Sequence, residues 1–207
     1  MKTLSLTLFF ILAFNITFSQ NKKQATVEIY TSTIGNNFPY LIGPPIWGLT
    51  LNRSSYHNAG INYIQPLNSW LSIMGGVEFS KYDMKNTEVI PSDPGSGPDI
   101  ILTDYPNIQL ISFPVNIQVN FFKYFLARAG FMVDIETKNN SINSYINTQS
   151  GIGLNLEAGA QYNLRKHITL FLSPFFQTHG TILFQSKQDY TYKSNDAGVN
   201  LGIAYRF

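Results

Sequence analysis

The chain has 207 residues, of which 44% are hydrophobic and 14% aromatic but only 13% charged, about half the charged share of an ordinary soluble domain. This richness in large apolar side chains excludes a disordered chain, and a formal charge of +2 gives no dense cationic surface, so no nucleic-acid partner is expected. The absence of cysteine removes disulfides, thiolate metal sites, a cysteine nucleophile and a lipid-bearing cysteine.

Lys2 is followed by an apolar centre at residues 8–14 and by Thr17, Phe18 and Ser19 ahead of Gln20, the layout of a secretory signal peptide. Cleavage after Ser19 is expected, leaving residues 20–207 as one domain. Asn15 and Thr17 interrupt the apolar stretch, which is too short for a spanning helix. Every later apolar run is broken by Asn, Gln, Gly, Pro or a charge, so strands would have to carry any membrane insertion.

Beyond the leader the chain alternates with period two, the side-chain period of a strand. Weak alternation marks 24–34, 58–65 and 70–82. In 111–121 the apolar positions Ile111, Phe113, Val115, Ile117, Val119 and Phe121 oppose Ser112, Pro114, Asn116, Gln118 and Asn120. Pro114 cannot donate a ladder bond, which predicts a bulge or kink. In 125–135, Phe125, Ala127, Ala129, Phe131, Val133 and Ile135 oppose Leu126, Arg128, Gly130, Met132 and Asp134. The same rule holds at 151–162, more weakly at 168–185, and again at 197–207, where Val199, Leu201, Ile203, Tyr205 and Phe207 share a face. Eight strands are predicted.

The connectors sort by length. Residues 66–69, 122–124 and 163–167 are short, whereas 35–57, 83–106, 137–150 and 186–196 are long. Tight periplasmic turns, long external loops and an even strand count predict an all-β fold, an eight-stranded antiparallel up-and-down transmembrane β-barrel. Trp70, Phe121, Phe122, Tyr124, Phe125, Tyr162, Tyr205 and Phe207 would form the periplasmic aromatic girdle. A soluble β-sandwich or lipocalin-like barrel would instead carry Lys and Glu on its water-facing strands, where this chain has Gly, Asn, Gln and Ser.

The run from Ile111-Ser112-Phe113-Pro114-Val115 through Val119-Asn120-Phe121-Phe122-Lys123-Tyr124-Phe125 to Ala129-Gly130 resembles the PorT-like and OmpA-like outer-membrane β-barrel domain family of Gram-negative bacteria. Phe18-Ser19-Gln20 and the closing Ala204-Tyr205-Arg206-Phe207 are similar to the same family. The resemblance implies an eight-stranded barrel in outer-membrane lipid, inserted by the barrel-assembly machinery, which reads Tyr205 and Phe207 as a terminal signal. It implies no activity.

The alternation points Glu28, Glu78, Arg128, Asp134, Glu157 and Arg206 into the lumen, where buried charges must pair. Arg128 and Arg206 are expected to contact Glu78, Glu157 or Glu28, as a structural plug or as a gated polar path for protons or small ions. His57 and His179 could share an outer rim with Ser55 or Ser173 in a lipid-modifying hydrolase, but no spacing requires it. Metal binding by the same pair lacks any recognised spacing, and no catalytic residue or cofactor is assigned. Asp93, Asp99 and Asp104 make weak calcium capture conceivable in a turn-rich loop. The first long loop carries Phe38, Tyr40, Leu41, Ile42, Ile46 and Trp47, an apolar set for an exposed segment, read as a contact surface, a resting place on lipopolysaccharide or a lid. The expected function is non-enzymatic: a barrel anchoring external loops for envelope integrity or for a protein, glycan or lipid partner. A narrow ion path or a PorT-like accessory role in secretion is the alternative.

Overall fold

The computed structural model describes residues 24–42, 49–92, 98–140, 148–184 and 191–207. The leader, and Ile46 and Trp47 of the expected contact loop, lie outside the described residues.

Nine antiparallel strands form: β1 (Thr26–Ile42), β2 (Leu49–Pro66), β3 (Leu71–Ile90), β4 (Ile100–Asp104), β5 (Asn107–Phe121), β6 (Phe125–Asn139), β7 (Gly151–Asn163), β8 (Ile168–Leu183) and β9 (Thr191–Arg206). The sheet runs β2-β1-β9-β8-β7-β6-β5-β3-β4, and β2 also pairs with β3. That second pairing closes eight of the strands into a barrel, as predicted, with β4 added outside the ring. The order is up-and-down, since each barrel strand pairs with its neighbour in the chain and β9 returns to β1.

Parity sorts the side chains as the sequence pattern predicted. Ile73, Val77 and Phe79 of β3, Phe113, Val115 and Ile117 of β5, Leu154 and Leu156 of β7, and Leu201 and Ile203 of β9 are all exposed on the outer wall. On β3 the outward apolar run spans 71–79, the roughly 9 to 11 residues that a tilted spanning strand needs. A polar row then replaces it. His57 faces Lys81, Lys81 faces Gln109, and Thr137 donates its hydroxyl to the Gln109 carbonyl at 3.2 Å, marking the external lipid boundary. At the opposite end Trp70, Phe121, Phe122, Tyr124, Phe125, Tyr162, Tyr205 and Phe207 are all exposed beside the short turns. They ring the wall at interfacial height. The Phe207 amide donates to the Ala25 carbonyl at 3.0 Å, tying both ends of the barrel sequence to this rim.

The strands outrun their predicted limits at the external end. The expected loop at 35–57 is largely strand: β1 continues to Ile42 against Thr191 of β9, and β2 begins at Leu49 against Glu88 of β3. Phe38, Tyr40, Leu41 and Ile42 thus lie on β1, with their side chains outside the described set. Gly35, Asn36, Asn37 and Pro39 are turn-favouring residues, so this stretch reads as a connector although its backbone pairs with β9. The β1–β2 ladder stops at Ser32 opposite Asn58, so the external strands separate into a β1–β9 ribbon and a β2–β3–β4 sheet. Strand β4 falls inside the expected loop at 83–106.

Pro114 produces a different irregularity from the one predicted. Its strand keeps one register, with Gly75 opposite Val115 and Glu78 opposite Ser112, but the β3–β5 ladder has no pairs between those two. The missing amide interrupts the ladder without a bulge.

Candidate functional site

The barrel interior is the candidate site, because the buried polar and charged side chains converge there. Numbered around the ring, β1 and β6 stand four strands apart in both directions, and so do β3 and β8. The lumen is bridged along both of these diameters.

The first bridge joins β1 to β6. Arg128 places Nη2 at 2.5 Å from Glu28 Oε2 and Nη1 at 3.0 Å from Glu28 Oε1, a bidentate geometry. The same Nη1 lies 3.2 Å from Glu157 Oε2 on β7, and Nε donates to Gln118 Oε1 at 2.8 Å. The guanidinium also stacks over the Phe171 ring at 5.2 Å. Asn62 donates to Glu28, and the Ser173 hydroxyl donates to Glu157. Arg128 and both carboxylates are buried.

The second bridge joins β3 to β8. Glu78 accepts from Tyr30 Oη at 2.7 Å, from Ser80 Oγ at 3.1 Å, and from Gln177 Nε2 at 3.3 Å across the lumen. Nearby, His179 of β8 lies with Nδ1 3.0 Å from Asp134 Oδ2 and Nε2 2.9 Å from Asp196 Oδ2. Tyr82 of β3 reaches across to donate to Asp196 at 2.6 Å, with its Oη 3.1 Å from His179 Nε2. Ser112 donates to Asp134 Oδ1 at 2.6 Å. Apolar packing fills the remaining levels. Tyr56, Tyr82, Met84, Ile108, Leu110 and Phe175 form one buried cluster, and Tyr30, Leu126 and Phe171 another.

Five of the six residues expected to face the lumen are buried there: Glu28, Glu78, Arg128, Asp134 and Glu157. Arg206 departs from the expectation. It ends β9 and is exposed, lining a polar vestibule of about 420 Å³ at the periplasmic mouth with Gln24, Asn68, Asn120 and Gln161. Among the described residues it makes no ion pair. Sequence reasoning missed Asp196 and Tyr82. Asp196 has the inward parity of Gly198 and Asn200, so continuing that register one residue before the expected strand start at Ala197 would have found it.

His57 and His179 do not share a rim. His57 is exposed on the outer wall, and His179 is fully buried inside. Ser55 binds Asp83 on the outer wall, whereas Ser173 is buried against Glu157. The proposed hydrolase grouping is thus divided by the barrel wall. In the turn-rich loop Asp93 lies outside the described residues, and Asp99 accepts from the Ser92 amide at 3.1 Å.

No protein-family model matches the chain, and no curated protein matches it. Among solved structures, the outer membrane protein OprG from Pseudomonas aeruginosa is similar at 13% identity and a TM-score of 0.46, covering 89% of this chain and 96% of that one. Ail, the attachment invasion locus protein of Yersinia pestis, is similar at 14% identity and a TM-score of 0.46, over 90% of this chain and 100% of its own. The translocator domain of the autotransporter NalP from Neisseria meningitidis is similar at 9% identity and a TM-score of 0.37, over 99% of this chain and 96% of that chain. The assignment itself rests on the strand ring and its two surfaces. A closed barrel leaves no backbone edge in lipid, and this one carries a continuous apolar outer band between a polar row and an aromatic girdle. The chain is an outer-membrane β-barrel protein.

Proposed function

We propose that this protein is a plugged, non-catalytic barrel that holds an external sheet in place for recognition of a protein partner. The observation that carries the reading is the bridging of the lumen along two diameters, which leaves the external strands as the part free to act. In this reading residues 1–19 are removed on secretion, and the barrel-assembly machinery reads Tyr205 and Phe207.

Strand β4 supports a protein partner in particular. It pairs with β3 on one side, from Asn86 opposite Asp104 to Ile90 opposite Ile100, and ends the strand order on the other. Edge strands are ordinarily guarded by Lys or Pro, yet β4 reads Ile-Ile-Leu-Thr-Asp. Ile100, Ile101 and Leu102 are all exposed. An extended segment of a partner can add to such an edge through backbone hydrogen bonds, with its side chains on these apolar groups. The β1 stretch holding Phe38, Tyr40, Leu41 and Ile42 supplies a second external surface. A PorT-like accessory role in secretion is one form of such a partnership.

Two measurements test the proposal. The protein reconstituted in planar bilayers should give no single-channel steps; regular steps would replace the plug with the narrow ion path. A photo-crosslinking residue at position 101 should capture a defined protein on intact cells, and Leu102→Pro should abolish that capture while the folded barrel keeps its heat-dependent gel shift. Capture unchanged by Leu102→Pro would remove edge pairing from the proposal.

A further inference from the structure

At the periplasmic mouth the side-chain amides are held in one orientation. Arg128 donates Nε to Gln118 Oε1 at 2.8 Å, so Gln118 turns its nitrogen away and donates to Asn120 Oδ1 at 2.9 Å. Gln161 donates to the same Asn120 oxygen at 3.4 Å. With that oxygen taken twice, Asn120 has its Nδ2 donors left to offer. Asn68, in the β2–β3 turn, is fixed in the same sense, because its Oδ1 accepts from the Trp70 and Leu71 amides at 2.9 Å and 2.7 Å. The two amides are neighbours, since Trp70 also accepts from the Asn120 backbone amide at 2.7 Å. Neither Nδ2 has an acceptor among the described residues.

Asn68, Asn120 and Arg206 line one vestibule of about 420 Å³. Strands β5 and β9, which carry Asn120 and Arg206, stand four apart around the ring, so the donors address this space from opposite sides. An amide free in water would turn either end inward, whereas each of these is held by two hydrogen bonds with its donor end unused. The formal charges cancel. Arg128 at the floor meets two carboxylates, Glu28 and Glu157, and Arg206 offsets the one left over. No surplus positive charge remains for an anion, and the ligand that fits is neutral.

Small-ligand pockets are ordinarily lined by apolar side chains with a few polar groups among them. This vestibule reverses the proportion, and Thr26, Ser69 and Ser72 add hydroxyls to its amides. Such a lining suits a ligand bearing oxygens on every side and gives little for the apolar side chains of a peptide. We propose that the vestibule binds a neutral saccharide unit from the periplasmic side, whose oxygens accept from Asn68, Asn120 and Arg206. Its volume is at the small end of the roughly 300–1,000 Å³ of ligand pockets, a size for a mono- or disaccharide. The site lies at the end of the barrel away from β4, so it stands or falls independently of the external partner surface.

The test uses the full chain folded in lauryldimethylamine oxide, a detergent without a sugar headgroup, and reads saturation-transfer NMR on cellobiose, glucuronate and trialanine. Cellobiose should show saturable transfer from the folded protein that the heat-unfolded sample lacks. Asn120→Asp and Asn68→Asp each keep the oxygen that the neighbouring donors need and remove only the free donor, so both should fold and each should weaken cellobiose binding about tenfold, the scale of one lost hydrogen bond. Arg206→Gln, at the open mouth, should also weaken it and carries the test where an Asp variant loses the heat-dependent gel shift of a folded barrel. No saturable transfer to cellobiose would overturn the site, as would binding unchanged in all folded variants, which would put the sugar elsewhere on the protein. Tighter binding of glucuronate or of trialanine than of cellobiose would overturn the assignment to a neutral saccharide.

Discussion

Arg128 and Glu28 sit on diametrically opposite strands of the barrel and meet across its lumen, with Nη2 and Oε2 2.5 Å apart. Antiparallel ladders fix only neighbouring strands, so such a contact sets the barrel's cross-section in a way no ladder can. The β3–β8 contacts of Glu78 with Gln177 and of Tyr82 with His179 brace it along the perpendicular diameter. Together they favour a round, filled barrel over a flattened one.

Removing one partner of the first brace should cost far more than removing all of it. Arg128→Ala leaves Glu28 and Glu157 buried without their cation, and an uncompensated buried charge costs about 3–5 kcal/mol. The triple variant Glu28→Gln, Arg128→Met, Glu157→Gln carries no buried charge at this level and should recover most of that loss. Urea titration of refolded protein, followed by Trp fluorescence or the heat-dependent gel shift, ranks the two. Equal losses would mean that the ion pairs contribute only by packing.

Tyr30 is flanked on its two neighbouring strands by Gly60 and Gly202. Its ring covers Gly60 so closely that a Cβ there would lie 2.4 Å from Cζ and 2.5 Å from Oη. The same hydroxyl donates to Glu78 at 2.7 Å. Gly60→Ala would force the ring off both contacts and should cost about 1–3 kcal/mol, the usual scale of overpacking. Gly75→Ala is the comparison, because the nearest atom to its Cβ is the Pro114 carbonyl at 3.9 Å; it should stay within about 0.5 kcal/mol. Denaturant midpoints of the two variants decide the matter, and a reversed order would show that the ring relaxes freely.

The spanning part of the fold was legible because lipid on one side and a packed lumen on the other impose different chemistry on alternate residues. Phe113 and Val115 face out while Ser112 and Asn116 are buried, which period-two reading of the sequence predicted. The external extension of β1 was not legible, since Gly35, Asn36, Asn37 and Pro39 are turn-favouring residues and read as a connector. Individual lumen charges were legible by parity, whereas their partners were not. Nothing local tells Arg128 that Glu28 lies one hundred positions away, and His179 was read as a rim residue because its level in the barrel depends on strand stagger rather than on spacing.

Phe122 and Lys123 in the β5–β6 turn have φ of 49° and 65°, a left-handed region that disfavours most side chains. Lys123 offsets part of that cost by resting its ammonium 5.6 Å from the Tyr124 ring centroid. Lys123→Asn, which tolerates this conformation, should leave stability within about 0.5 kcal/mol, and Lys123→Val should lose about 1 kcal/mol or more from its β-branched side chain. Because this turn stands at the rim opposite the β2–β3–β4 sheet, neither change should alter partner capture at position 101. Refolding yield and urea midpoint check the first expectation, and cell-surface crosslinking checks the second.

Asp83 lies beyond the lipid boundary, in the outer-wall row that continues from Lys81. Burial pushes its carboxyl up, but hydrogen bonds from Asn107 and Ser55 and the ammonium of Lys81, 3.4 Å away, outweigh that and hold it below the ordinary value of 3.8. A depressed folded value means that the stabilisation is complete above the ordinary value and is lost as pH falls through the folded one. The group is 39% exposed, so solvent screening keeps the contribution near the 0–1 kcal/mol of surface pairs. The contacts join β2, β3 and β5 at the base of the external sheet, and the loss should therefore appear there rather than in the whole barrel. Hydrogen exchange at residues 53–57 and 81–85 should be faster in Asp83→Asn than in the unaltered protein at neutral pH. The difference should shrink as the pH is lowered below the ordinary carboxyl range, where both chains carry a neutral group at this position. A difference that persists unchanged in acid would assign the effect to the shape of the side chain instead of its charge.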